Sequence, residues 1–305
     1  MNSRKAKVIM NIIRKINNYF VSRREVRLSR SIRGDIGVII FLFLICAFMI
    51  LPILYTVLQS LKPIDEIFMY PPRFFVKKPT FGNYRDLLSL TSNFSVPFLR
   101  YVFNSLLVSF LGTVIYVLIA AMGGYALAKG HFRGRGVFST LVEWALLFRG
   151  EVTAVPAYFI ISALGMLDTY WAMILPAFAS TMGVFLIRQF AIVSISNETI
   201  EAARIDGASE GRIFFSIGFP SLKPALLTAT IFQFQTMWNG AGTTQYIFSE
   251  DLKLLPTVMS TISAGGIARA GAAAAVAVVL MIPPIVVFLI SQSSIMETMT
   301  ESGLK

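Results

Sequence analysis

The sequence predicts an all-α, polytopic membrane protein with six transmembrane helices, and three observations carry that prediction. Hydrophobic residues make up 55% of the 305-residue chain and charged residues only 14%, with a mean hydropathy of +0.70. A soluble domain seldom has this balance. Apolar stretches suited to a bilayer crossing, which takes roughly 20 residues of helix, recur six times along the chain. Lysine and arginine crowd the N-terminal segment and certain short loops, the asymmetry that orients spans in a membrane.

The spans are expected at residues 36–58, 102–128, 137–164, 169–193, 222–238 and 270–291. The first and last are almost free of charge. The third is interrupted by Glu143, Arg149 and Glu151, and the fifth is shortened near Pro224. Gly265-Gly266 and the alanine-rich run 270–277 read as close helix packing, and Pro283-Pro284 as a kink in the last span. The chain then divides into a basic N-terminal segment 1–35, a six-helix domain 36–295 that includes a polar loop at 194–220, and a tail 296–305.

Orientation follows from the basic residues. Residues 1–34 hold ten lysines and arginines against Glu25 alone. Such a cluster beside a first span is held in the cytoplasm. Ile9, Ile12, Ile13, Ile16 and Phe20 recur among these charges at helical spacing, the pattern of an amphipathic helix lying on the inner membrane surface. The loop 129–136, with His131, Arg133 and Arg135, falls on the same side, as does the loop 194–220. An even number of spans makes both termini cytoplasmic. The loops 59–100 and 239–269 face outward, and long loops of this kind cross regardless of charges such as Arg73, Lys77 and Lys78. The basic region is too long, and the first span lacks a small-residue cleavage site, for a signal peptide to be expected. Cys46, the only cysteine, lies in the first span, so no intrachain disulfide is possible.

The most informative stretch is the polar island Glu201-Ala202-Ala203-Arg204-Ile205-Asp206-Gly207-Ala208, followed by Phe214, Ile217, Pro220 and Pro224. Alanines make a small-residue helical face, Glu201 puts a negative charge on it, and Gly207 makes a left-handed or tight backbone cheap at the bend. The expected shape is helix, turn, helix, with Ser196 and Ser209 as caps. Glu201, Arg204 or Ile205, and Ala208 are expected to share one stripe.

That run resembles the loop signature of the membrane-spanning permease subunits of bacterial ABC importers. The resemblance implies a type I ABC importer permease with a cytoplasmic coupling helix. It marks Glu201, Ala202, Ala203, Asp206, Gly207 and Ala208 as residues that dock to a cytosolic ATPase. Further matches run in order along the chain: Ser60-Leu61-Lys62 with Glu66, Phe81-Gly82-Asn83-Tyr84, Phe103-Asn104-Ser105-Leu106, Gly124 to Lys129, Asp168-Thr169, Phe185 to Phe190, Trp238-Asn239 and Leu255-Pro256. Together they are similar to the second permease of maltose-type carbohydrate importers. The chain departs from that pattern in having Ser196 where a proline is common before the signature, and Gly240-Ala241-Gly242 where an acidic or aromatic group is common after Trp-Asn. The resemblance implies a heterodimer with a second permease, two copies of an ATPase that bind ATP and Mg, an extracellular solute-binding protein and a carbohydrate substrate, in a bacterial cell membrane. Related branches carry phosphorylated polyols or acidic oligosaccharides.

Ionisable groups at membrane depth are costly unless they face a partner or a wet cavity. Glu143, Arg149 and Glu151 are therefore candidates either for lining a translocation path or for pairing structurally. Gln233, Gln235 and Asn239, near the outer end of the fifth span, offer donors and acceptors suited to hydroxyls, or alternatively amide packing between helices. No phosphate-loop motif is present, so ATP hydrolysis would belong to a separate subunit and the chain is not expected to be an enzyme. A single histidine leaves no histidine-cluster metal site. No cofactor is expected on this chain, and no zinc spacing or RNA-binding signature accompanies its basic pI to suggest nucleic acid. The rival class is an ion-coupled secondary transporter using Glu143, Arg149 and Glu151, against which no inverted repeat is evident.

Overall fold

The computed structural model describes residues 32–92, 96–148, 150–240, 245–266 and 269–302, with side chains described except at 32–35, 90–92, 150–151 and 293–302. The basic segment expected before residue 32, Arg149, the side chain of Glu151 and residues 241–244 lie outside this set. The chain divides into two compact units, Met1–Tyr55 and Thr56–Lys305. The first carries most of the helix Ile32–Ser60, whose apolar residues run unbroken from Ile36 and give the highest mean hydropathy of any span, 3.1.

Within the second unit the described residues form helices and loops without strands. The second-span helix is Phe98–Lys129, and the fourth span is Tyr170–Ser194, built from helix Tyr170–Ile174, a 3-10 turn Leu175–Ala179 and helix Met182–Ser194. The sixth is the apolar part of Ala270–Ser302, a helix that continues through Pro283 and Pro284. These and the first are the four described helices long and apolar enough to cross a membrane unaided.

The other two expected spans are modified. The fifth, Lys223–Trp238, starts with Pro224 in its first turn, where a missing N–H costs nothing. Glu210–Ser221 precedes it and meets it at a 76° bend. The third is two helices, Arg135–Ala145 and Gly150–Ala163. Short-range bonds from Leu147 N–H to Trp144 O and Phe148 N–H to Ala145 O close the first of them, where the polar run beginning at Arg149 interrupts the apolar pattern.

The second-span helix packs against the fourth and fifth, and the fifth against the sixth. Tyr116, Ala120, Ala121, Ile187, Ala191, Ala225 and Ala229 fill that contact. Small side chains bring the helix axes close, as van der Waals packing in lipid requires.

The loops after the first and fifth spans are tied to the span ends by side chains scattered through the sequence. Lys62, 2% exposed, donates to Gln59 Oε1 and to the Arg73 carbonyl. Glu66 accepts the Lys77 and Lys78 amides, and Asn83 donates to the Ser60 and Lys62 carbonyls at 2.8 and 2.7 Å. Asn104, fully buried, donates to Asp251 O and Lys253 O while accepting from the Tyr170 hydroxyl. The collinear sequence matches around residues 60, 83 and 104 are thus the knots that hold these loops.

Candidate functional site

The polar loop between the fourth and fifth spans folds as its sequence dictates. Ser196 caps the helix Asn197–Ile205, its Oγ accepting the Thr199 amide at 3.2 Å, and Ser209 Oγ accepts from Arg212 N–H to start the next turn, Glu210–Ile213. Between them Gly207 sits at φ +80°. Its N–H bonds the Arg204 carbonyl and the Ala208 N–H bonds the Ala203 carbonyl, both at 3.0 Å. This pair of bonds is a Schellman closure, which satisfies two of the helix's terminal carbonyls and requires the left-handed residue.

The accompanying apolar contact is present, because Ala203 and Ala208 both pack against the buried core. Ile200, Ile213 and Leu222, between 0 and 3% exposed, anchor the loop beneath the ends of the second and fourth helices. Arg204 Nε bridges to Glu210 Oε1 at 2.7 Å across the turn. That contact holds the Glu210 carboxyl below its ordinary value and raises Arg204. The helix ends at Ile205, so the expected stripe is cut short. Ala208 lies past the left-handed turn and packs inward.

What remains outward is Glu201, Ala202, Asp206 and Gly207, together with Ile205 at 87% exposure. A small-residue face with two carboxylates, Glu201 and Asp206, and one projecting aliphatic side chain is thereby presented on its packed base. Beside it, Arg135 closes the end of the second-span helix, donating to Leu127 O at 2.8 Å, Ala128 O at 2.7 Å and Gly130 O at 3.3 Å. A cation on terminal carbonyls is the favourable sign there. Lys129 reaches Asn197 Oδ1 at 2.9 Å and ties that helix end to the loop. His131, Lys129, Arg204 and Glu201 share a cleft of about 310 Å³.

A second concavity, of about 430 Å³, lies between the second, fourth and fifth span helices. It brings together Gln233, Gln235 and Asn239 with Tyr116, Ser180 and Thr236. The last three come from separate spans and carry no shared sequence signal. Gly183 is what allows the cavity its shape: its N–H donates to Tyr116 Oη at 2.8 Å, and a Cβ at this position would stand 2.4 Å from that oxygen. Glu143 is placed elsewhere. It receives Arg188 Nη1 from the fourth span at 2.8 Å, with side-chain exposures of 46% for Glu143 and 16% for Arg188. Among the described residues no cluster of three metal-ligating side chains occurs.

Residues 36–297 match the family described as binding-protein-dependent transport system inner membrane component. A probable ABC transporter permease protein, YurM, of Bacillus subtilis strain 168 is 30% identical over 89% of this chain and 89% of its own. The arabinooligosaccharides transport system permease protein AraQ of the same organism is 28% identical, over 88% of this chain and 95% of its own. A crystal structure of a bacterial ABC transporter involved in the import of the acidic polysaccharide alginate has a chain similar to this one, with TM-score 0.71 and 26% identity, covering 87% of this chain and 98% of that one. Helices of spanning length, a capped helix-turn-helix between the fourth and fifth spans and a family match over nearly the whole chain converge. This integral membrane protein belongs to the family of binding-protein-dependent transport inner membrane components, the permease subunits of type I ABC importers.

Proposed function

We propose that this chain is one of two permeases in an ATP-driven importer of carbohydrate, and that the exposed face of helix Asn197–Ile205 is where a cytosolic ATPase docks. The observation that carries the reading is the Schellman-closed loop, which leaves Glu201, Ala202, Ile205, Asp206 and Gly207 exposed while Ala203 and Ala208 fix it to the core. ATP and Mg belong to that partner, a solute-binding protein delivers cargo to the outer loops, and both termini lie in the cytoplasm of a bacterial cell. The 36–295 segment is the translocating domain, preceded by the basic segment and followed by the short tail. Carbohydrate cargo is supported by the names of relatives, among them the arabinooligosaccharide permease and the alginate importer. The phosphorylated-polyol alternative has a relative of its own, a glycerol-3-phosphate permease of Pectobacterium atrosepticum 30% identical over 75% of this chain. The ion-coupled alternative has less behind it, since Glu143 is neutralised by Arg188.

The test is a mild-detergent pull-down of the tagged protein from its own host, with co-purifying chains identified by mass spectrometry. Recovery of an ATPase and a second permease is expected. A lone polypeptide that transports in liposomes would overturn the reading.

A further inference from the structure

We infer that the cavity at Tyr116, Ser180 and Gln233 is this chain's share of the substrate path, and that it selects an uncharged, multiply hydroxylated ring, a neutral sugar residue, over an acidic or phosphorylated one. The inference rests on the importer reading above and goes beyond it by naming the charge class of the cargo.

The cavity lies where the fourth span is not a regular helix. After the 3-10 turn Leu175–Ala179, Ser180 adopts an extended backbone, φ −65° and ψ 120°, before helix resumes at Met182. Irregular backbone at membrane depth persists only inside protein or along a wet cavity. Its polar lining is only partly spent within the chain. Tyr116 Oη accepts the Gly183 N–H, which leaves the phenol proton to donate to a ligand. Thr236 Oγ1 spends its proton on Phe232 O at 2.9 Å and keeps its lone pairs. The carboxamides of Gln233, Gln235 and Asn239 have no hydrogen-bond partner among the described residues, although Gln233 is only 4% exposed.

Donors and acceptors therefore both line one space, which matches a hydroxyl, since each hydroxyl both donates and accepts. A carboxylate or phosphate only accepts, and moving it out of water requires a cation. The described lining contains no lysine, arginine, aspartate or glutamate. Arg188, on the same fourth-span helix, is turned to Glu143 and is not part of the lining. Phe232, Leu186 and Ala229 complete an apolar wall against which a ring's C–H face can lie. The volume, about 430 Å³, falls within the roughly 300–1,000 Å³ of small-molecule sites.

The experiment uses the full chain in membranes of its own host. In a Cys46→Ser background, Ser180→Cys is labelled with an uncharged thiosulfonate, and the labelled peptide is quantified by mass spectrometry. The probes are neutral trisaccharides (arabino-, xylo- and malto-), trigalacturonate and glycerol phosphate. At ten times the Kd a protecting neutral trisaccharide slows labelling about tenfold, and the two anions leave the rate unchanged. Adding Gln233→Leu is expected to abolish protection without changing the unprotected rate. Equal or stronger protection by either anion overturns the charge selection, and no protection by any neutral probe overturns the cavity as a substrate site. Co-purification of an ATPase is scored separately, so failure here is distinguishable from failure of the importer reading.

Discussion

Gly207 is the residue on which the shape of the docking loop turns. Its φ of +80° is a backbone conformation that costs an ordinary L-residue roughly 1–2 kcal/mol. An added Cβ would meet nothing within 4 Å, so the cost of Gly207→Ala is conformational and carries no clash. That cost corresponds to a roughly five- to thirtyfold shift away from the closed loop, with the amide bonds from Gly207 and Ala208 the first to open. Gly207→Val is worse, because a β-branched side chain resists this region further, whereas Asn visits it most readily of the non-glycine residues. Transport-coupled ATPase activity and hydrogen exchange of the peptide spanning residues 203–210 are the paired assays. Activity should fall in the order Gly, Asn, Ala, Val, and exchange should rise in the same order while membrane insertion stays constant. A Val variant that matches the parent in both assays, or an Ala variant that outperforms Asn, would refute the reasoning.

Three further outcomes are expected. Glu201→Lys reverses a carboxylate on the exposed face of helix Asn197–Ile205 and should abolish ATP-dependent uptake with insertion intact, as read by uptake and membrane fractionation. Gly183→Ala forces a Cβ to within 2.4 Å of Tyr116 Oη and should destabilise the helix contact by about 1–3 kcal/mol; Tyr116→Phe removes the clashing oxygen, so a double-mutant cycle by thermal unfolding in detergent should show partial recovery. Asp168 accepts the Ser249 hydroxyl, the Ser249 amide and the Phe248 amide, which hold its carboxyl below the usual aspartate range. Its stabilisation of the loop at Phe248 and Ser249 is then fully present above the unfolded value of about 3.9 and is lost as pH falls through the lower folded value. Limited proteolysis of the loop across acid pH should show that step in the parent and none in Asp168→Asn.

Much of this was legible in the sequence because the physics is local. Ser196, Gly207 and Ser209 cap, turn and cap through bonds to residues no more than five away, and those preferences are intrinsic to the residue types. Span positions follow from apolar length alone. What escaped depends on contacts between distant segments. Glu143 and Arg188 are 45 residues apart, Asp168 and Ser249 are 81 apart, and no periodicity links either pair. Tyr116, Ser180 and Gly183 join Gln233 only once three helices have packed. The division of the third span at Ala145 was visible only as polar interruptions, and the inward turn of Ala208 required knowing that the helix stops at Ile205.

The 76° bend at Leu222 sets a mechanical ratio between the two ends of the fifth span. Leu222 is fully buried, and its N–H bonds back to Gly218 and Phe219, so it would serve as the fulcrum of any rotation of this span. The arm beyond it, Lys223–Trp238, has 16 residues and reaches about 24 Å at the helical rise per residue. A rotation of only about 5° at that fulcrum carries the far tip through about 2 Å over such an arm. Gln235 and Asn239 ride near that tip. A displacement too small to see as a change in the loop's own contacts is therefore comparable to a hydrogen-bond length where the cavity amides sit.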